Sequence, residues 1–211
     1  MTKTKDKQHA VSANNPCPFL RALVASGKLA DDREPLAKVA AVVATTARAG
    51  EGRPVLPQVA IFAIASLANG WSPVSLAGTA WRGLQLNALR GGPLDKKGVG
   101  SRILTPRGTV DAKQVSRLRG YATKKRKADG SSELGLDLAE LNAFMDANFA
   151  RAAGRRRMID RALMNGEWPI LLEVMGREGR DGRYLSLREV TDLFRKRSFP
   201  DRMTRRLRAG R

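Results

Sequence analysis

The chain has 211 residues, enough for one fair-sized domain with a real core, and 42% of them are hydrophobic. It carries 39 basic against 20 acidic residues, a net charge of +19, with one cysteine and one histidine. Those last two counts exclude an internal disulfide, a multi-cysteine zinc site and any metal or haem centre that needs two histidines.

Aromatic residues are only 5%, alanine, leucine and valine are abundant, and alternating β-branched runs are few. The expected fold is therefore mainly α, a single multi-helix domain over residues 14–200 with long irregular loops. Residues 1–13, which include His9, read as a disordered polar tail, and 201–211 as a basic, frayed C-terminal tail.

Cys17 stands between Pro16 and Pro18, and helical spacing of Phe19, Leu20, Leu23 and Val24 follows, with Gly27 as a stop. A second helix is predicted over 34–48, with Pro35 in its first turn and Gly50 past its end. The most apolar helix covers 57–69. Ser72 and Pro73 then open a helix over 73–89. Residues 90–108 are rich in glycine and proline and read as a long irregular segment without a nucleotide-binding fingerprint. A basic helix is expected over 111–127 and a strongly helical stretch over 136–153. Another helix starts near Arg156, breaks at 166–169 and resumes to Met175. After a turn at 177–183, Ser186 and Glu189 form a capping-box pattern for a helix over 186–197. No internal repeat is visible.

The charged start has no apolar segment after it, and the longest apolar run, 59–68, is too short to span a bilayer. A soluble, cytoplasmic protein without a membrane partner is expected. The basic surplus points to non-specific polyanion attraction, or to a solvated arginine-rich surface with no specific partner. The basic runs 124–127, 155–157 and 205–208 come with no base-reading motif.

A sulfur at the mouth of a helix faces free N–H groups and the positive end of the dipole, which favours thiolate. Such a thiolate could be a nucleophile or a metal ligand, and the plain alternative is a small structural thiol. As a nucleophile it lacks a well-placed base, because His9 belongs to the tail. Around it, "PCPFLRALVASGKL" matches the pattern P-C-P-x-L-x-A-L-x-x-x-G-x-L at Pro16, Cys17, Pro18, Leu20, Ala22, Leu23, Gly27 and Leu29. This stretch resembles the proximal motif of the haem-thiolate peroxidases, the chloroperoxidases and unspecific peroxygenases. "GRYLSLREVTDLFRKRSFP" is similar, more loosely, to that family's late segment.

The resemblance implies an oxidoreductase that holds haem b. Cys17 would be the axial iron ligand, flanked by Pro16 and Pro18, with hydrogen peroxide oxidising a small organic substrate. It also implies a distal acid–base carboxylate, for which Glu133, Glu140 and Glu167 are the candidates, and a pocket that apolar residues of 59–89 could line. The family's Glu-Gly-Asp or Glu-His-Asp triplet is absent; the nearest carboxylates are Asp129, Glu133 and Asp137. Residues 129–140 place oxygen side chains at calcium-loop spacing, but Leu134 holds the sixth place, where the loop must bend. Useful calcium affinity is not expected there, while a weaker magnesium-type site stays open. The competing expectation is a non-catalytic basic binding module, for a polyanion, a nucleic acid or a protein partner, whose cysteine is structural.

Overall fold

The structure, a computed structural model, describes residues 9–50, 58–96, 99–154, 156–157 and 159–209. Its early helices begin where prolines or capping side chains preset the first turn. α1 (Pro18–Ala25) opens on Pro18 behind Cys17, and α2 (Leu36–Arg48) opens behind Pro35. After α3 (Gln58–Leu67) comes α4 (Pro73–Arg82), where Ser72 Oγ accepts the Ser75 N–H at 3.1 Å. α4 stops at Gly83, well short of the end expected from the sequence. At φ 90° Gly83 turns the chain where an added Cβ would lie 2.4 Å from the Glu34 carbonyl oxygen. The turn lets β2 (Leu84–Gln85) pair with β1 (Arg33–Glu34).

Of the described residues 53% are helix and 13% strand, with two antiparallel sheets, so the expectation of a mainly α fold is corrected to a mixed α/β one. The larger sheet comprises β3 (Thr123–Arg126), β4 (Ser132–Leu136), β5 (Arg177–Gly179) and β6 (Gly182–Ser186), in the order β3-β4-β6-β5. The basic helix ends early for the same reason: α5 (Ala112–Tyr121) gives way to a strand made of Thr-Lys-Lys-Arg. That strand is largely exposed on both faces, so no period-two apolar pattern marks it, and only pairing with β4 makes it a strand.

The sheet joins two units of the same build. In the first, α5 leads through β3 and β4 to α6 (Leu138–Arg151). After α7 (Asp160–Asn165), the second runs from α8 (Trp168–Met175) through β5 and β6 to α9 (Leu187–Lys196). Their inner strands β4 and β6 pair antiparallel, Gly135 opposite Ser186 and Leu136 opposite Leu185. The hairpin tips also meet, with the Arg180 N–H donating to the Arg126 carbonyl at 2.9 Å. This architectural duplication leaves no repeat in the sequence.

The core gathers between the units. Phe144 of α6 meets Tyr121 and Trp168 edge-on, each at 5.5 Å between ring centroids, and Trp168 stacks on Phe194 of α9 at 6.2 Å. Leu23 and Val24 of α1, Met145, Met175, Leu185 and Val190 complete it, all fully buried or nearly so. Both expected tails are partly folded into this body. The His9 N–H donates to the Ala25 carbonyl and the Ser12 N–H to the Asp31 carboxylate, so residues 9–13 are held in place. The C-terminal segment forms α10 (Asp201–Ala209) and buries Met203. Spacing alone does not show that Met203 has a site to fill.

Arginines fasten these parts through backbone carbonyls. Arg21, 2% exposed, donates to the carbonyls of Ser12, Asn15 and Gly108. Arg90 donates to those of Ala13 and Thr105, and Arg157 to those of Pro93 and Asp95. Arg183 reaches Leu172 and Glu173, and Arg202 reaches Met175, at the end of α8. Arg206 reaches Ala49 and Gly50 at the end of α2. Cations at helix C-termini satisfy orphan carbonyls and complement the dipole.

The pairing of the two units has a narrow point at Gly135. A Cβ there would lie 2.4 Å from the Tyr184 ring and 2.9 Å from the Leu185 carbonyl oxygen. Gly135→Ala should therefore destabilise the fold by about 1–3 kcal/mol, measured by urea unfolding. Wild-type stability in that variant would show that β4 and β6 do not pack as described.

Candidate functional site at Cys17

Cys17 sits at the N-cap of α1 with Pro18 at the first helical position, as expected from its flanking prolines. Its backbone N–H donates to Asn15 Oδ1 at 3.2 Å, which fixes the approach of the chain. The electrostatics run opposite to the sequence expectation. Burial pushes the thiol pKa up and outweighs the Leu20 N–H that favours thiolate; the Glu167 carboxylate pushes it up further, and the Phe19 N–H and Lys96 pull it down. The sulfur makes no cap hydrogen bond, so the helix mouth only partly offsets desolvation.

Lys96 is a member of this site that sequence reasoning missed. It comes from the irregular 90–108 segment, and its Nζ lies 2.9 Å from Glu167 Oε2, both side chains being mostly buried. Burial opposes the Lys96 charge, but the Glu167 carboxylate prevails and holds the ammonium pKa above its ordinary value. The only sequence signal was a lysine pair inside a glycine-rich loop. Trp168, next to Glu167 in the chain, has its Nε1 buried without a partner among the described residues.

Of the three carboxylates considered for acid–base work, Glu167 is the one within electrostatic reach of Cys17. Glu133 lies on β4 and accepts the Tyr184 hydroxyl at 2.9 Å and the Ser186 hydroxyl at 2.8 Å, with Arg177 at 3.7 Å. Burial, followed by that carboxylate, pushes the Tyr184 pKa far up. Glu140 closes the capping box of α6. Its carboxylate accepts the Asp137 N–H at 2.8 Å and pairs with Lys125 at 2.8 Å, while Asp137 pairs with Lys125 at 2.7 Å.

Residues 129–140 are thus a hairpin tip, a strand and a helix start rather than one loop. The sharp bend falls on Gly130, at φ 86°, and Leu134 lies in β4 opposite Lys124. Asp129 turns inward to the Ser131 N–H and hydroxyl, and an ammonium occupies the place between Asp137 and Glu140 where a cation would go. Among the described residues, no cluster of three or more His, Cys, Asp or Glu side chains is disposed to hold a metal ion.

The donor set at Cys17 matches a haem-thiolate site in kind, one sulfur with helix N–H groups near it, but not in the charge state its surroundings favour. Desolvation favours the neutral thiol, and a Lys96–Glu167 ion pair stands beside it. A cavity of about 50 Å3 lies elsewhere, at the hairpin tips between Lys125, Asp137, Asp181 and Tyr184. The described residues around Cys17 do not fit the group as they stand. No family model, curated protein or solved structure matches this chain.

Two outcomes follow from the raised pKa of the half-buried thiol. Native Cys17 should react with iodoacetamide at least about 10-fold more slowly than the urea-unfolded chain, because thiolate is the reactive form. The folded thiol pKa lies above the unfolded one, so the folded state binds more protons and loses stability as pH rises through about 8.5. Cys17→Ala should flatten that part of the pH–stability curve. Fast alkylation of the native protein at neutral pH would show an activated thiolate instead.

Proposed function

We propose that the chain is a basic binding module for polyanions, in which Cys17 is a structural thiol. The observation that carries this reading is the internal commitment of the acids. Glu34, Asp160, Glu167, Asp137, Glu140 and Glu189 are each paired with a lysine or arginine of the same chain. With 39 basic against 20 acidic residues, even complete pairing leaves a surplus of +19. Lys113, Arg117 and Arg119 of α5 and Lys124 of β3 make no ion pair with a described residue, and all but the half-buried Arg117 are exposed. A surface like this draws phosphate or sulfate groups by charge, without reading sequence.

The full chain should bind heparin and duplex DNA at low salt, with no sequence preference and an affinity that falls linearly with salt on a log–log scale. Lys113→Gln, Arg119→Gln and Lys124→Gln combined should reduce the salt slope by about 3, roughly one for each phosphate no longer neutralised. Fluorescence anisotropy at several salt concentrations reads both. No binding to any polyanion at low salt would end this reading.

The haem-thiolate peroxidase reading has one observation in its favour, the approach of Glu167 to Cys17. Hemin added to the full chain separates the two. The expected spectrum lacks the red-shifted reduced carbon monoxide band of thiolate-ligated haem. Such a band, absent in Cys17→Ala, would reverse the order of the two readings.

A further inference from the structure

The segment from Gln58 to Arg82 exposes apolar side chains on a scale not matched elsewhere among the described residues. Val59 is 80% exposed, Val74 80% and Trp81 91%, and Phe62, Ile64 and Trp71 are also exposed. α4 is inverted: its one buried residue is Thr79, while Pro73, Val74, Ala77, Ala80 and Trp81 face outward. Val74, Ala77 and Trp81 follow the i, i+3, i+7 spacing of a single helix face. A helix built only to pack on its own core would bury that face and expose the threonine.

The inverted helix is held in a fixed position. The Asn69 side chain brackets Gln85 at both backbone groups, donating to its carbonyl at 3.0 Å and accepting its N–H at 2.8 Å. This closes residues 70–84 into an excursion whose far end is pinned by Gly83 and the β1–β2 pair. Ser72 caps the helix from inside the excursion. Trp71 and Trp81, both exposed, therefore flank a fixed helix, one just before its cap and one in its last turn.

Along this stretch of the chain the charge is one-sided. The chain has no acidic residue between Glu51 and Asp95. Arg48, at the end of α2, and Arg82, next to Trp81, are both exposed. No described helix is long and apolar enough to cross a membrane. Tryptophans at both ends of a short apolar helix, with an arginine in its last turn and no acid within the segment itself, are the chemistry of the headgroup–acyl boundary.

We infer that the α3–α4 segment docks on an anionic lipid surface, with Trp71, Val74 and Trp81 entering the interface and the basic surplus supplying the long-range attraction. This revises the expectation of no membrane partner, and it rests on the polyanion reading, naming anionic headgroups as the polyanion. Charge decides between occupants. A second copy of this chain would bring another +19 toward this one, whereas phosphatidylserine headgroups neutralise it.

The test is flotation of the full chain with phosphatidylcholine vesicles, with and without phosphatidylserine, alongside tryptophan emission and acrylamide quenching. The expected result is binding to the phosphatidylserine vesicles only, with blue-shifted and protected emission; Trp168, already buried, contributes a constant background. Val74→Ser with Trp81→Ser should weaken vesicle binding at least about 10-fold. Both side chains are outward, so melting temperature and heparin affinity should stay at wild-type values. Equal binding to neutral vesicles, or an undiminished affinity in the double variant, would overturn the inference. Heparin and DNA binding without vesicle binding would overturn it while leaving the polyanion reading intact. Failure to bind all three would overturn both. A concentration-dependent dimer abolished by the double variant would assign this face to a second copy instead.

Discussion

A chain with 39 basic and 20 acidic residues has more cations than carboxylates, and its fold depends on a second acceptor for its guanidiniums, the backbone carbonyl. Arg21 shows the constraint most clearly. Nearly sealed from water, it is surrounded by the carbonyls of Ser12, Asn15 and Gly108, and burial lowers its pKa. Those bonds join α1 to the segment before it and to a loop 87 residues away. Arg157, Arg183, Arg202 and Arg206 do the same at other seams, several of them at helix ends. The planar fork of arginine suits this use, because several N–H groups can be satisfied at once where the chain has carbonyls in excess.

The same arithmetic shapes the sheet. Glu133, Asp137 and Glu140 cluster near the β4–α6 junction, where they resemble ligands in sequence. In the structure they close a network of Tyr184, Ser186, Lys125 and the α6 cap, which joins the two helix–hairpin–helix units. Carboxylates fully engaged with internal donors are poor candidates for a metal or for proton transfer. Their placement explains why the spacing of a calcium loop occurs here without the loop.

Cys17 illustrates two physical effects in competition. Helix N–H groups and the dipole favour thiolate at the N-cap, where Pro18 places Cys17 at the start of the first turn. Packing of α1 into the core removes water from the same atom, and the nearby Glu167 carboxylate adds repulsion. Desolvation prevails because helix-end stabilisation is modest and fades within a turn, whereas loss of hydration acts on the whole charge. A local motif therefore does not by itself predict the ionisation state of its central residue.

Much of the helical framework was legible in the residues themselves. Pro18, Pro35, Ser72 with Pro73, and the Asp137–Glu140 box mark helix starts by local sterics and hydrogen bonding, which neighbours a few positions away are enough to determine. The net charge, the single thiol and the apolar run at 59–68 were likewise determined by sequence alone. The strands were not legible, because Thr123–Arg126 becomes a strand only by pairing with Ser132–Leu136. Nor was the meeting of Cys17, Lys96 and Glu167, drawn from three segments far apart in the chain. The outward turn of Val74 and Trp81 belongs to the same class: helical spacing shows that they share a face, but only the Asn69–Gln85 bracket and the burial of Thr79 decide that this face looks away from the core. Spacing along the chain encodes which side chains stand together; which of them meet water is decided by segments distant in sequence.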